Sequence, residues 1–71
     1  MKRKSVNSSN LFSIGYDESF MILEIEFKEG GIYQYFNVPK SVYLGLWKAS
    51  SHGKYFDRHI KKANYSQKKV R

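Results

Sequence analysis

The chain contains no cysteine. That removes disulfide scaffolds and zinc–thiolate sites together, and it fits a reducing compartment. No apolar run approaches the ~20 residues that span a bilayer. The basic start "MKRKSVNSSNLF" is not followed by the apolar stretch a secretory signal carries. A soluble cytoplasmic chain with no membrane association is therefore expected. Acidic residues are also scarce: six Asp and Glu stand against thirteen Lys and Arg, for a net charge of +7. Seventy-one residues make a single domain. A chain this short buries only about 60% of its unfolded surface, so its stability is modest.

The positive charge sits at the two ends. Residues 1–10 carry +3, residues 11–51 carry −2, and residues 52–71 carry +6. This asymmetry points to an anionic partner, nucleic acid first. Solubility alone, or basic tails that bind nothing in particular, would leave the same pattern.

Along the chain, Met1 to Asn10 is polar, although Val6 can join a strand. "LFSIGYD" reads as a strand and "DES" as a turn. In "FMILEIEF", Leu23, Ile25 and Phe27 alternate with Glu24 and Glu26, the pattern of a half-buried strand. "KEGG" is a hairpin turn and "IYQYFNV" its partner strand. Pro39 opens a helix, a position where no N–H is needed. Val42, Tyr43, Leu46 and Trp47 then share one helical face, and Gly45 weakens that helix by about 1 kcal/mol against alanine. "SSHG" ends the first helix and starts a second, with Ser50 or Ser51 as N-cap. On the second helix, Phe56, Ile60 and Ala63 fall on one face, and Lys54, Arg58 and Lys61 form a basic stripe on another. The predicted fold is α+β: a three-stranded antiparallel meander followed by two helices packed on one face, with the other face open to water. Residues 1–5 and 66–71 read as flexible basic tails of the domain spanning 1–71.

The direction of Tyr33 and Tyr35 depends on the hairpin. A two-residue turn at Glu29-Gly30 puts both tyrosines on the outer face with Glu24 and Glu26, and Ile32 and Phe36 in the core. A three-residue turn at Lys28-Glu29-Gly30, with Gly30 left-handed, reverses the parity and sends both tyrosines inward. The two-residue turn is favoured slightly, because it exposes phenols that tolerate water.

These landmarks resemble the KTSC domain, named for its place at the C-terminus of some lysyl-tRNA synthetases and found also as a small stand-alone bacterial protein. The matching residues are "VNSSNL" at 6–11, "IGYD" at 14–17, "LEIEF", Tyr33-x-Tyr35 and "NVP" at 37–39. They continue with "ASSHGKYF" through "HIKK" at 49–62, and then Tyr65. The family often has Asn where this chain has Asp57. The resemblance covers about residues 6–65. What it implies about function is RNA binding, suggested by the synthetase context.

Two nucleic-acid surfaces follow. An outward Tyr33 and Tyr35 could stack on unpaired bases, although Glu24 and Glu26 on that face would repel phosphate. The segment "SSHGKYFDRHIKK" suits an anion better: Ser51 and Gly53 lie at a helix start, with Lys54, Arg58, Lys61 and Lys62 along it. "GK" here lacks the glycine-rich lead-in of a P-loop. His52 and His59 are seven apart, too far for a chelating i, i+4 pair. A Ser51, His52 and Asp57 set has nothing to fix its geometry. The expected protein is a small non-enzymatic module without metal or cofactor, binding single-stranded RNA or tRNA as a monomer. The alternative is a protein–protein interaction module, or an accessory of a bacterial or phage assembly.

Overall fold

The computed structural model describes residues 2–71. Its elements run β1 (Arg3–Ser5), β2 (Leu11–Asp17), β3 (Ile22–Phe27), β4 (Ile32–Tyr35), α1 (Lys40–Lys48), α2 (His52–Phe56), a π turn continuing that helix over Asp57–Lys61, and β5 (Gln67–Lys69). The class is α+β as expected, but the antiparallel sheet has five strands rather than three, in the order β1-β2-β3-β4-β5. The additional strands come from the two segments read as tails. Arg3 pairs with Gly15 on one edge and Lys69 with Tyr33 on the other. Neither three-residue strand shows apolar alternation, since an edge strand needs only its backbone to pair. The lysines on β5 blunt further pairing at that edge.

The turns follow from local chemistry. The Asp17 carboxylate accepts from the amides of Ser19 and Phe20, closing the β2–β3 turn. Phe20 and Met21, expected as the start of a strand, sit exposed in this turn. At the β3–β4 hairpin, the Phe27 amide donates to Gly31 C=O and the Gly30 amide to Phe27 C=O. Gly30 and Gly31 both have positive φ, +106° and +91°. This is the three-residue turn, so the favoured register is corrected: Tyr33 pairs with Ile25 and Tyr35 with Leu23, and both lean inward. Burial explains the choice. Tyr35 packs edge-on against Phe56, and Tyr33 against Phe27, at 5.6 and 5.7 Å between ring centroids. Ile32 is nonetheless buried on the outer face, beside the closing residues Val70 and Arg71, whose amides donate to its carbonyl.

The core lies between the inner sheet face and the helices. Leu11, Ile14, Leu23, Ile25, Val38, Leu46 and Ile60 are fully buried there. Pro39 caps α1 rather than occupying its first turn. Tyr43 stacks on Tyr16 at 4.6 Å, and the Tyr16 hydroxyl donates to Val38 C=O. Burial raises the Tyr16 phenol above its ordinary pKa. On the outer face a polar cluster replaces open water. Arg3 donates to Ser13 and pairs with Glu24, Ser13 donates to Glu26, and Gln34 donates to Glu24. Gly15 makes room for this arrangement, because a Cβ there would come within 2.9 Å of the Arg3 side chain.

Candidate nucleic-acid interface

The "NSSN" stretch before β2 is a folded corner. The Ser8 hydroxyl accepts from the Asn10 and Leu11 amides and donates to Asn10 Oδ1. Asn10 C=O accepts from the Lys28 amide, tying the corner to the β3–β4 hairpin. The Asn10 side chain rests on Gly53 of α2. This corner therefore joins the hairpin to the second helix.

That helix starts at Ser51, whose hydroxyl accepts from the Lys54 amide, as the sequence suggested. His52 has a structural role: its Nδ1–H donates to Leu46 C=O at 2.7 Å, because a carbonyl can only accept. His59 lies over Tyr55 at 4.4 Å. The two histidines thus have separate neighbours.

The π turn changes which lysine belongs to the basic face. A π turn holds more residues than an α turn, and here the Lys62 amide donates to Asp57 C=O, five residues back. With 3.6 residues per turn, Lys61 would fall in line with Lys54. The wider turn separates the two neighbouring lysines: of the expected basic residues, Lys54, Arg58 and Lys62 line one hollow and Lys61 another. Ala63, expected on the buried face, is exposed for the same reason. Asn64, with φ of +62°, then ends the turn.

Two hollows result. The basic one, of about 620 Å³, is lined by Ser51, Gly53, Lys54, Arg58 and Lys62. The aromatic one, of about 800 Å³, is lined by Phe27, Tyr33, Tyr35, Phe56, Lys61 and Tyr65, among others. They meet at Ser9, Asn10 and Asp57, which line both. All eight residues singled out in the sequence thus line one or the other of these two adjoining hollows, with Lys61 on the aromatic side. Burial, with the neighbouring Tyr33 phenol adding to it, pushes the Tyr35 phenol up to about 12. Asp57 pairs with Lys62 at 3.4 Å. Glu24 and Glu26 lie on the other side of the sheet, occupied by Arg3, while Glu29 and Asp57 are the carboxylates that line the aromatic hollow. Sequence reasoning missed Asn10 and Tyr65 as groove residues. The serine-rich corner before β2 was a usable signal for the first, and nothing in the local pattern marked the second. Among the described residues, no helix is long and apolar enough to cross a membrane.

Comparison with known proteins agrees with this fold. The KTSC domain model matches residues 7–65. An uncharacterized protein of Stutzerimonas stutzeri is 43% identical over 65 residues, covering 92% of each chain. A lysine–tRNA ligase of Nostoc punctiforme is 44% identical over 46 residues, which are 65% of this chain but 8% of the ligase. The crystal structure of a KTSC domain protein from Yersinia pestis superposes with a TM-score of 0.93 at 40% identity, over 99% of this chain and 97% of that one. The chain belongs to the KTSC domain family.

Proposed function

We propose that this protein is a small non-enzymatic module that binds single-stranded RNA, including unpaired parts of tRNA, in the groove along its second helix. Lys54, Arg58 and Lys62 contact phosphates, and Tyr33 offers a ring for stacking. The observation that carries this reading is the junction of a basic hollow with an aromatic one at Asn10 and Asp57. Single-stranded nucleic acid needs both surfaces side by side. A segment like this chain in a protein named lysine–tRNA ligase is consistent with an RNA partner. Ser51 and Gly53 form the mouth of the basic hollow, and Lys61 adds charge beside the rings.

The test is an amide NMR titration of labelled protein with a short single-stranded RNA at two salt concentrations. Shifts along Lys54–Lys62 that fade with salt are expected, because phosphate contacts release counterions. No shift at low salt would end the RNA reading. A protein partner then becomes the alternative, with the β2–β3 turn as the place to look, since Phe20 is 73% exposed there.

A further inference from the structure

The aromatic hollow has a feature that phosphate binding does not use. Tyr35 is only 4% exposed, yet it lines the hollow. No hydrogen bond ties its hydroxyl to the described residues, and no polar side-chain atom among them is sealed away without a partner. The hydroxyl therefore meets the hollow, held at its floor by the Phe56 ring packed edge-on at 5.6 Å. A phenol held this way can donate one hydrogen bond and accept another. Above it, Tyr33 is half-buried, with its ring braced by the Phe27 ring at 77°. Asn10, Asn64 and Gln67 add amide groups around the rim, each able to donate and accept.

Size and charge restrict what fits. A hollow of about 800 Å³ is on the scale of a small-molecule site. That leaves ample room for one base with its sugar. The neighbouring hollow, which shares Ser9, Asn10 and Asp57 with this one, presents Lys54, Arg58 and Lys62. We propose that the aromatic hollow takes one unpaired nucleobase of the bound strand, stacked on Tyr33 and hydrogen-bonded by the Tyr35 hydroxyl, while the basic hollow takes the phosphate of that nucleotide. The inference rests on the RNA-binding reading above and adds to it a contact with the base. The phenol stays protonated across the neutral range, so it remains a donor to a base carbonyl or ring nitrogen.

The experiment compares a six-nucleotide single-stranded RNA with a strand of the same backbone built from stable abasic residues, both titrated into labelled protein. Removing the bases leaves every phosphate in place. The base-bearing strand is expected to bind about five- to a hundredfold more tightly, the range for stacking one base on an aromatic ring. Its added shifts should fall at Tyr33, Tyr35 and Tyr65. Tyr35→Phe removes only the hydroxyl and should weaken the base-bearing strand about two- to tenfold, leaving the abasic strand unchanged. Tyr33→Ala gives a second variant outside the fully buried core, and should remove most of the difference between strands. Equal binding of the two strands, with shifts confined to Lys54–Lys62, would overturn the base site and leave RNA binding by charge intact. Tighter binding of bases that Tyr35→Phe and Tyr33→Ala leave untouched would also overturn it. Binding of neither strand at low salt would remove both this inference and the RNA reading.

Discussion

The Asn10 side chain rests so closely on Gly53 that a Cβ at position 53 would lie 2.4 Å from Asn10 Oδ1. Two segments 43 positions apart in the chain meet there, and they form the wall common to both hollows. The glycine is in a helix, where alanine is ordinarily favoured by about 1 kcal/mol. Here the glycine serves contact rather than propensity. Gly53→Ala should therefore leave thermal stability within about 1 kcal/mol of the parent, because the end of the Asn10 side chain can swing away while the helix gains. Amide shifts should concentrate at Ser8–Leu11, and RNA affinity should fall. Loss of binding without movement at Ser8–Leu11 would rule out Asn10 as the cause.

Gly45 poses the same question with a stiffer neighbour. A Cβ at this position would lie 2.2 Å from the Tyr55 hydroxyl oxygen and 2.8 Å from Cζ. A phenol ring cannot bend its end aside, and Tyr55 is also held against His59. Gly45→Ala should lose about 1–2 kcal/mol in denaturant unfolding, overpacking outweighing the helix gain. Adding Tyr55→Phe should restore only part of this, because the Cζ contact remains. A stabilised Gly45→Ala single variant would show that α1 and α2 pack less tightly than this contact requires.

Glu24 links the outer face to acid stability. Burial alone would raise its carboxyl pKa, but hydrogen bonds from Gln34 and Arg3, together with the Arg3 charge, outweigh burial and hold it below the ordinary 4.5. The unfolded chain therefore binds a proton at this group at higher pH than the native chain does. The stability it contributes is present above pH 4.5 and is lost as pH falls through the lower native value. Glu24→Gln should cost about 1–3 kcal/mol near neutral pH, and its melting temperature should decline less steeply than the parent's below about pH 4.5. Parallel declines would show that Arg3 does not pin β1 through this carboxylate.

The alternation of Leu23, Glu24, Ile25 and Glu26 made β3 legible, since a period of two admits few other readings. A serine cap at Ser50 or Ser51 was legible for an equally local reason, and Ser51 is the one that caps. The hairpin register was not. One residue in the turn reverses every side chain that follows, and both turns suited "KEGG" chemically. The packing of Tyr35 on Phe56, far along the chain, decided it. β1 and β5 escaped notice because backbone pairing at a sheet edge leaves no apolar signature. Gly45 read only as a weak helix position and Gly53 only as part of a helix start, because the residues that need their space, Tyr55 and Asn10, lie on other segments.

The π turn supplies the sharpest test of the groove. Lys61 and Lys62 are neighbours of identical chemistry, yet Lys62 lines the basic hollow and Lys61 the aromatic one. A disordered basic tail would make the two interchangeable, and an unbroken α-helix would favour Lys61. On the RNA-binding proposal, Lys62→Glu removes a phosphate contact. It should reduce the slope of log affinity against log salt by about one, uniformly across RNA sequences. Lys61→Glu should change that slope less, and its effect should depend on the base nearby. Fluorescence titrations of the two variants over a series of salt concentrations read both quantities. A larger slope change for Lys61→Glu than for Lys62→Glu would mean that RNA meets a helix wound differently from this one, or a different face of the protein.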